Sequence, residues 1–172
     1  HALVLGATGA TGQELVKLLL NDPDISKVSI FVRKKLNITH IKLTVHEINF
    51  SKLKNYKEII KGDILFSALG TTRRDAGDKQ KQYLVDYHYQ YEFAKIASEN
   101  GLMYYSLVSS IGANKNSYFF YPKMKGDLEE AVKCLNFRVV QIFQPPSLIR
   151  PPHLIRNVEK LSLFILKIFN YF

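Results

Sequence analysis

Apolar runs and amphipathic stretches alternate along most of this chain, and their spacing predicts its elements. Ala2–Leu5 is a short apolar run ending at Gly6, which reads as a buried strand. Over 13–21, Leu15, Val16, Leu18, Leu19 and Leu20 recur at helical spacing until Asp22-Pro23 stops the helix. Val28–Val32 is rich in β-branched residues and predicts a second strand, and 41–48 alternates through Ile41, Leu43 and Val45 as a third. Residues 51–60 predict a short helix capped by Ser51, followed by a strand over 64–69. Residues 78–100 predict one long helix ending at Gly101, a residue suited to the left-handed position after a helix. A strand over 103–108, a polar loop over 109–117, a helix over 122–135 and a strand over 137–143 complete the series.

This order predicts an α/β fold with a doubly wound parallel sheet over residues 1–150, because each crossover between parallel strands needs a helix. No internal repeat or low-complexity segment interrupts it. After Phe143 the character changes: residues 144–152 carry four prolines in nine positions and are expected to be irregular. Residues 151–172 are expected to be a short, mostly helical C-terminal extension. Its apolar stripe of Leu161, Phe164, Ile165, Ile168, Phe169 and Phe172 suits packing on the sheet, on a homodimer partner or on a substrate-side lobe. It is too short and too charged to span a membrane.

Composition adds little that contradicts this. The chain has 172 residues, 47% hydrophobic and 23% charged, which fits one domain with a real core. Cys134 is the only cysteine, so no intramolecular disulfide forms, and the histidines lack ligand spacing, so no metal is expected. No secretory leader is read before the first strand, and a cytoplasmic location is expected. The net charge of +9 is spread from Lys17 to Lys167 and interleaved with acids. It suits a polyanionic cofactor better than nucleic acid, for which no module is present.

The chemistry starts at Gly6-Ala7-Thr8-Gly9-Ala10-Thr11-Gly12, a glycine loop between a strand and a helix. Gly6 allows a tight turn, Gly9 lets a pyrophosphate approach backbone, and Gly12 lets the helix pack against the strand. The helix N-terminus offers free N–H groups and partial positive charge, and Thr8 and Thr11 add hydroxyl donors. A Walker loop is excluded because no Gly-Lys-Ser/Thr follows. The loop therefore predicts a Rossmann-type dinucleotide site. After the second strand come Arg33, Lys34 and Lys35, with no carboxylate before Glu47. Arginine clamps a 2′-phosphate that a carboxylate would repel, so NADP(H) is preferred, with NAD as the alternative.

Ser109 and Ser110 follow the strand over 103–108, at the sheet edge where α/β proteins bind ligands. Tyr121 and Lys125 lie four apart on the next helix, facing one side. A neighbouring ammonium is expected to lower the tyrosine pKa and make Tyr121 a general acid/base. Lys125 can also bond the nicotinamide ribose, while Ser110 orients the substrate oxygen.

These pieces, with Phe31-Val32-Arg33-Lys34-Lys35, the run from Ser67 through Gly70-Thr71-Thr72 to Arg73, Val85-Asp86 and Ser109-Ser110-Ile111-Gly112-Ala113-Asn114, resemble the Tat-interacting-protein group of atypical short-chain dehydrogenases. The resemblance covers nearly all of residues 2–150. It implies an NADPH-binding Rossmann domain with the adenosine phosphate near Arg33 and Lys34, Leu69, Gly70 and Thr71 along the cofactor, and a Ser110–Tyr121–Lys125 triad. Two departures stand out. Gln144-Pro145-Pro146 replaces the Arg-Pro-Gly usual after the sixth strand, and relatives continue past the point where this chain stops. The expected activity is an NADP(H)-dependent oxidoreductase acting on a carbonyl or alcohol. A nucleotide-sugar epimerase or dehydratase and a non-catalytic NADPH-responsive regulatory protein are the alternatives.

Overall fold

The structure is a computed structural model and describes residues 1–146. The boundary at 150 and the mostly helical extension expected over 151–172 lie outside the described residues. Six strands, β1 (Ala2–Leu5), β2 (Val28–Val32), β3 (Leu43–Glu47), β4 (Ile64–Ser67), β5 (Tyr104–Val108) and β6 (Val139–Phe143), form one sheet. All pairings are parallel, in the order β3-β2-β1-β4-β5-β6. The order reverses between β1 and β4, and the crevice outside their C-terminal ends is where such a sheet takes ligands.

Alternate residues of each strand feed two cores. Ala2, Val4, Ile30 and Val32 pack with Leu19 of helix α1 (Ala10–Asn21) on one face. Leu3, Leu5, Phe31, Leu65 and Leu107 pack on the other with Phe93, Ala94 and Ala97 of α4 (Tyr89–Glu99) and Leu128 and Val132 of α5 (Phe120–Lys133). β1 and β2 are buried along their whole length. That explains their mainly apolar composition, because helices cover both faces of the sheet; the one polar residue, Ser29 of β2, is buried with its hydroxyl 2.9 Å from His1 Nε2.

Several elements differ from their predicted form. α1 starts three residues earlier than its apolar pattern, because Gly9 is its N-cap and Gln13 N–H bonds Gly9 C=O at 2.9 Å. The stretch Phe50–Ile59 is a 3₁₀ helix with a kink at Lys52, and its cap is Asn49, whose side chain accepts from Ser51 N–H. β4 stops at Ser67, and the chain turns into the loop that carries Leu69, Gly70 and Thr71.

The long helix expected over 78–100 is three pieces: α3 (Lys79–Tyr83), a π-helical turn (Leu84–His88) and α4. A four-residue turn, α2 (Arg73–Ala76), precedes them and ends at Gly77 with φ +94. On the core-facing side of this run, Gln82, Asp86 and Gln90 are all buried where apolar residues would be expected. The π turn carries Asp86, and such single-turn insertions re-aim side chains at functional sites. Gly101 adopts φ +86 after α4, as its position predicts.

Candidate functional site

The glycine loop is shaped as its spacing requires. Gly6 has φ +77, and a Cβ there would lie 2.4 Å from Ala68 O. A Cβ on Gly12 would lie 2.0 Å from Gly6 O, so α1 packs directly on the loop. At Gly9 a Cβ would meet only Gly6 O at 3.3 Å; this residue lines a cleft of about 1050 Å³. The N-terminus of α1 has no side-chain cap and no acid in its first turn, which leaves its N–H groups and dipole available to an anion. A pyrophosphate fits this cradle: the backbone is bare where it must approach and the first turn of α1 carries no acid.

The cleft runs along the C-terminal edge of β1, β2, β3 and β4. Gly6, Thr8, Gly9, Arg33, Leu69, Gly70 and Thr71, all expected cofactor residues, line it. Ala10 and Thr11 sit in the first turn of α1, half-buried, and Lys34 is exposed outside the lining. Glu47 also lines the cleft. It is distant from Arg33 in sequence but adjacent in space, because Val32 and Glu47 are register partners at the ends of β2 and β3. Sequence order hid this carboxylate. One end of the cleft is a polar recess, where Tyr56 OH accepts Asn49 N–H at 3.1 Å and the hydroxyls of Ser51 and Tyr89 lie 3.0 Å apart.

Ser109, Ser110, Tyr121 and Lys125 do not line that cleft. They form a second cluster at the same sheet edge, beyond β5. The loop after β5 docks closely on α5: a Cβ on Gly126 would lie 2.3 Å from Lys115 N, and Asn114 N–H bonds Pro122 C=O at 3.0 Å. Tyr121, Lys125 and Glu129 follow one another at four-residue intervals along α5, beside the core stripe of Met124, Leu128 and Val132. Lys125 is 3% exposed.

Two buried carboxylates support that lysine, Asp86 from the π turn and Glu129 from α5. Burial pushes the Lys125 ammonium below its ordinary value, and the attraction of Asp86 and Glu129 recovers part of the loss. Burial likewise pushes the Asp86 carboxyl up, against the pull of Lys125 and the hydrogen bonds from Thr71 N–H and Gln82. Both groups are thus less readily ionised than in water, as desolvation demands.

The expected effect of Lys125 on Tyr121 is corrected. Burial, then the negative charge of Asp86, raises the Tyr121 phenol, and only the Ser110 hydroxyl lowers it. The lysine charge is engaged by carboxylates instead. Sequence reading also missed Asp86 and Glu129 as parts of this site. A Glu four residues after Lys125, and polar residues on the buried side of the preceding helix, were the available signals.

Glu129 accepts the Ser109 hydroxyl and both carboxylate oxygens accept the Gln144 amide at 2.9 Å. Gln144, the departure noted after the sixth strand, therefore has a defined partner. Among the described residues no group of His, Cys, Asp and Glu could hold a metal ion, and no helix is long and apolar enough to cross a membrane.

Comparison with known proteins places this geometry in a family. A family model described as NAD(P)H-binding matches residues 6–133. The chain is 36% identical over 151 residues to protein FMP52, mitochondrial, of Candida albicans, covering 85% of this chain and 66% of that protein. It is 36% identical over 150 residues to protein HTATIP2 of Rattus norvegicus, covering 85% of this chain and 62% of the relative. The chain thus spans a little under two thirds of these relatives' length. Among solved structures, a short chain dehydrogenase from Burkholderia cenocepacia in complex with NADP superposes with a TM-score of 0.71 at 21% identity, over 91% of this chain and 75% of that one. The UDP-glucose 4-epimerase of Thermotoga maritima gives 0.66 at 12% identity, over 83% and 54%.

The cytoplasmic expectation is overturned, since four fungal relatives at 35–36% identity are named mitochondrial proteins. A lone cysteine and an unremarkable first strand describe any compartment without disulfide formation, so they could not separate the two. By family model and relatives, the chain belongs to the NAD(P)H-binding family whose model spans residues 6–133, and it is similar to the FMP52 and HTATIP2 proteins.

Proposed function

We propose that this chain is an NADP(H)-dependent oxidoreductase acting on a carbonyl or alcohol substrate, with Ser110, Tyr121 and Lys125 as its catalytic residues. The observation that carries this reading is the meeting of two features at one sheet edge. A glycine loop with an uncapped helix N-terminus opens the cleft, and a buried lysine with a tyrosine and a serine lies beyond β5.

Gly6, Gly9 and the first turn of α1 would hold the pyrophosphate, with Thr8 and Thr11 hydroxyls beside it. Arg33 and Lys34 would meet the 2′-phosphate, their charge outweighing the single carboxylate of Glu47. Leu69, Gly70 and Thr71 would flank the cofactor, and Ser109 and Lys125 would lie toward the nicotinamide ribose. The cofactor, when bound, supplies or takes the hydride. Tyr121 would donate its proton to a developing alkoxide, and its raised phenol means that the reacting oxygen and the bound cofactor would have to draw that proton out. Ser110 would orient the substrate oxygen.

Residues 1–150 would constitute the dinucleotide-binding domain and 151–172 an extension belonging to a substrate-side lobe or an interface. The names of the fungal relatives support a mitochondrial location. The test is turnover across a carbonyl panel with NADPH, comparing wild type with Tyr121→Phe. Loss of about 100-fold or more in kcat with unchanged NADPH affinity is expected, the usual worth of a general acid. Unaltered kcat would remove Tyr121 from the mechanism.

A further inference from the structure

The loop after β5 and the first turn of α5 hold four large apolar side chains in the open. Ile111, Tyr118, Phe119 and Tyr121 are all exposed, Tyr118 fully and Phe119 to 76%. A single exposed apolar residue is ordinary, but four within eleven positions form a patch. The loop that presents them is anchored throughout. Ala113 N–H bonds Ser110 C=O at 3.1 Å, Asn114 N–H bonds Pro122 C=O at 3.0 Å and Ser117 N–H bonds Asn114 C=O at 2.9 Å. The Asn114 side chain accepts Asn116 N–H at 2.8 Å, and the Ser117 hydroxyl accepts Phe119 N–H at 3.2 Å. Lys123 Nζ donates to Lys115 C=O at 2.9 Å.

The same stretch carries the candidate chemistry. Ser110 directly precedes Ile111, and Tyr121 follows Phe119 by two residues at the start of α5. Ile111 N–H bonds Pro145 C=O at 3.2 Å, which sets this residue beside the segment after β6. A molecule whose oxygen reaches Ser110 and Tyr121 therefore lies against the loop that bears Ile111 and Phe119. Charge narrows what that molecule is. No acid occurs from Gly101 to Gly126. The two exposed lysines are engaged, Lys115 with Glu130 and Lys123 with Asp127, each at 3.5 Å. The loop thus offers no carboxylate to a cationic substrate and no unpaired ammonium to a nucleoside diphosphate. Its open surface is apolar.

We propose that the substrate taken by Ser110 and Tyr121 carries a bulky apolar group, an alkyl chain or an aromatic ring, that packs on Ile111, Tyr118 and Phe119. The inference rests on the oxidoreductase reading of this site. It sets the substrate of this chain apart from sugar nucleotides, whose phosphates call for cations that this loop keeps paired.

The experiment is turnover of propanal, pentanal, heptanal and benzaldehyde by the full chain, followed as NADPH oxidation, one equivalent per carbonyl reduced to alcohol. Wild type is compared with Tyr118→Ser/Phe119→Ser, and with Ile41→Ser as a control at a distant exposed apolar residue. The readout is the ratio of kcat/KM for heptanal to that for propanal. In wild type it is expected to exceed about tenfold, since each fully buried methylene contributes about fourfold and part of the chain stays in water. The double variant is expected to lower the ratio about fivefold, and Ile41→Ser to leave it in place. A ratio near one in wild type overturns the proposal, and so does an unchanged ratio in the double variant. Should the double variant not fold by circular dichroism, Ile111→Ser must lower the ratio instead; an unmoved ratio overturns it. A wild-type dimer that the double variant splits while the ratio stands assigns the patch to a second copy and overturns the proposal. A wild type that neither reduces these aldehydes nor oxidises the matching alcohols with NADP overturns the oxidoreductase reading and this inference with it. Turnover with a flat chain-length profile overturns this inference alone.

Discussion

The Oδ1 atom of Asp86 accepts the backbone N–H of Thr71 at 2.7 Å, linking the π turn to the loop after β4. Gln82 donates to the other oxygen at 3.3 Å, and Gln90 donates to the Asp86 carbonyl at 2.8 Å. One buried carboxyl thus fixes a wall of the cleft and faces the lysine of the second cluster. A Cβ on Gly70 would lie 3.3 Å from the same Oδ1, so the loop is held close.

This carboxyl gives stability a characteristic pH dependence. Burial raises its pKa above the ordinary 3.8, so the folded state holds the proton more tightly than the unfolded chain. Its contribution is most favourable below 3.8 and is lost as pH rises through the raised folded value. Asp86→Asn keeps an oxygen for Thr71 N–H and does not titrate. Urea midpoints for the variant relative to wild type are expected to rise between about pH 4 and pH 7. A relative midpoint that falls over that range contradicts the burial argument.

The glycines of the loop are expected to separate folding from binding. Gly12→Ala places a methyl against Gly6 O and should cost about 3 kcal/mol or more in stability, because backbone must move. Gly9→Ala has only a 3.3 Å contact and should fold normally. Its NADPH affinity is expected to drop about tenfold, one lost backbone-to-phosphate hydrogen bond. Denaturation and fluorescence titration on the same preparations check both statements.

Arg33 is exposed at the rim of the cleft. If it meets the 2′-phosphate, Arg33→Ala weakens NADPH by about 10- to 100-fold, the value of a charge-assisted contact, and leaves NADH within a few-fold. Glu47→Gln should act in the opposite direction on the same ratio, since it removes the carboxylate at that rim. Equal losses for both nucleotides in Arg33→Ala would take the residue out of cofactor selection.

Most of the sheet was legible in sequence. β1 is apolar throughout and β2 is apolar but for Ser29, and they end at a glycine and a basic turn, so period and punctuation agree. The glycine loop was legible because each spacing has a separate steric cause, visible at Gly6 and Gly12. The broken helix was not. Gln82, Asp86 and Gln90 keep helical spacing through the π turn, and an amphipathic count cannot detect a change in backbone hydrogen bonding that leaves side-chain order intact. Tyr121 and Lys125 were found by their interval, but the electrostatics were misjudged because Asp86 and Glu129 come into play only when the elements pack. Glu47 was likewise distant along the chain and close across the sheet.

The central claim is that the cleft between the glycine loop and the β4 loop receives a dinucleotide. Isothermal titration of the wild-type protein with NADPH and with NADH tests it most directly. The account predicts saturable one-to-one binding of NADPH, tighter than NADH by about tenfold or more, and abolished for both by occlusion of the loop. No heat of binding for either nucleotide at millimolar concentration, from a protein shown to be folded, would contradict it.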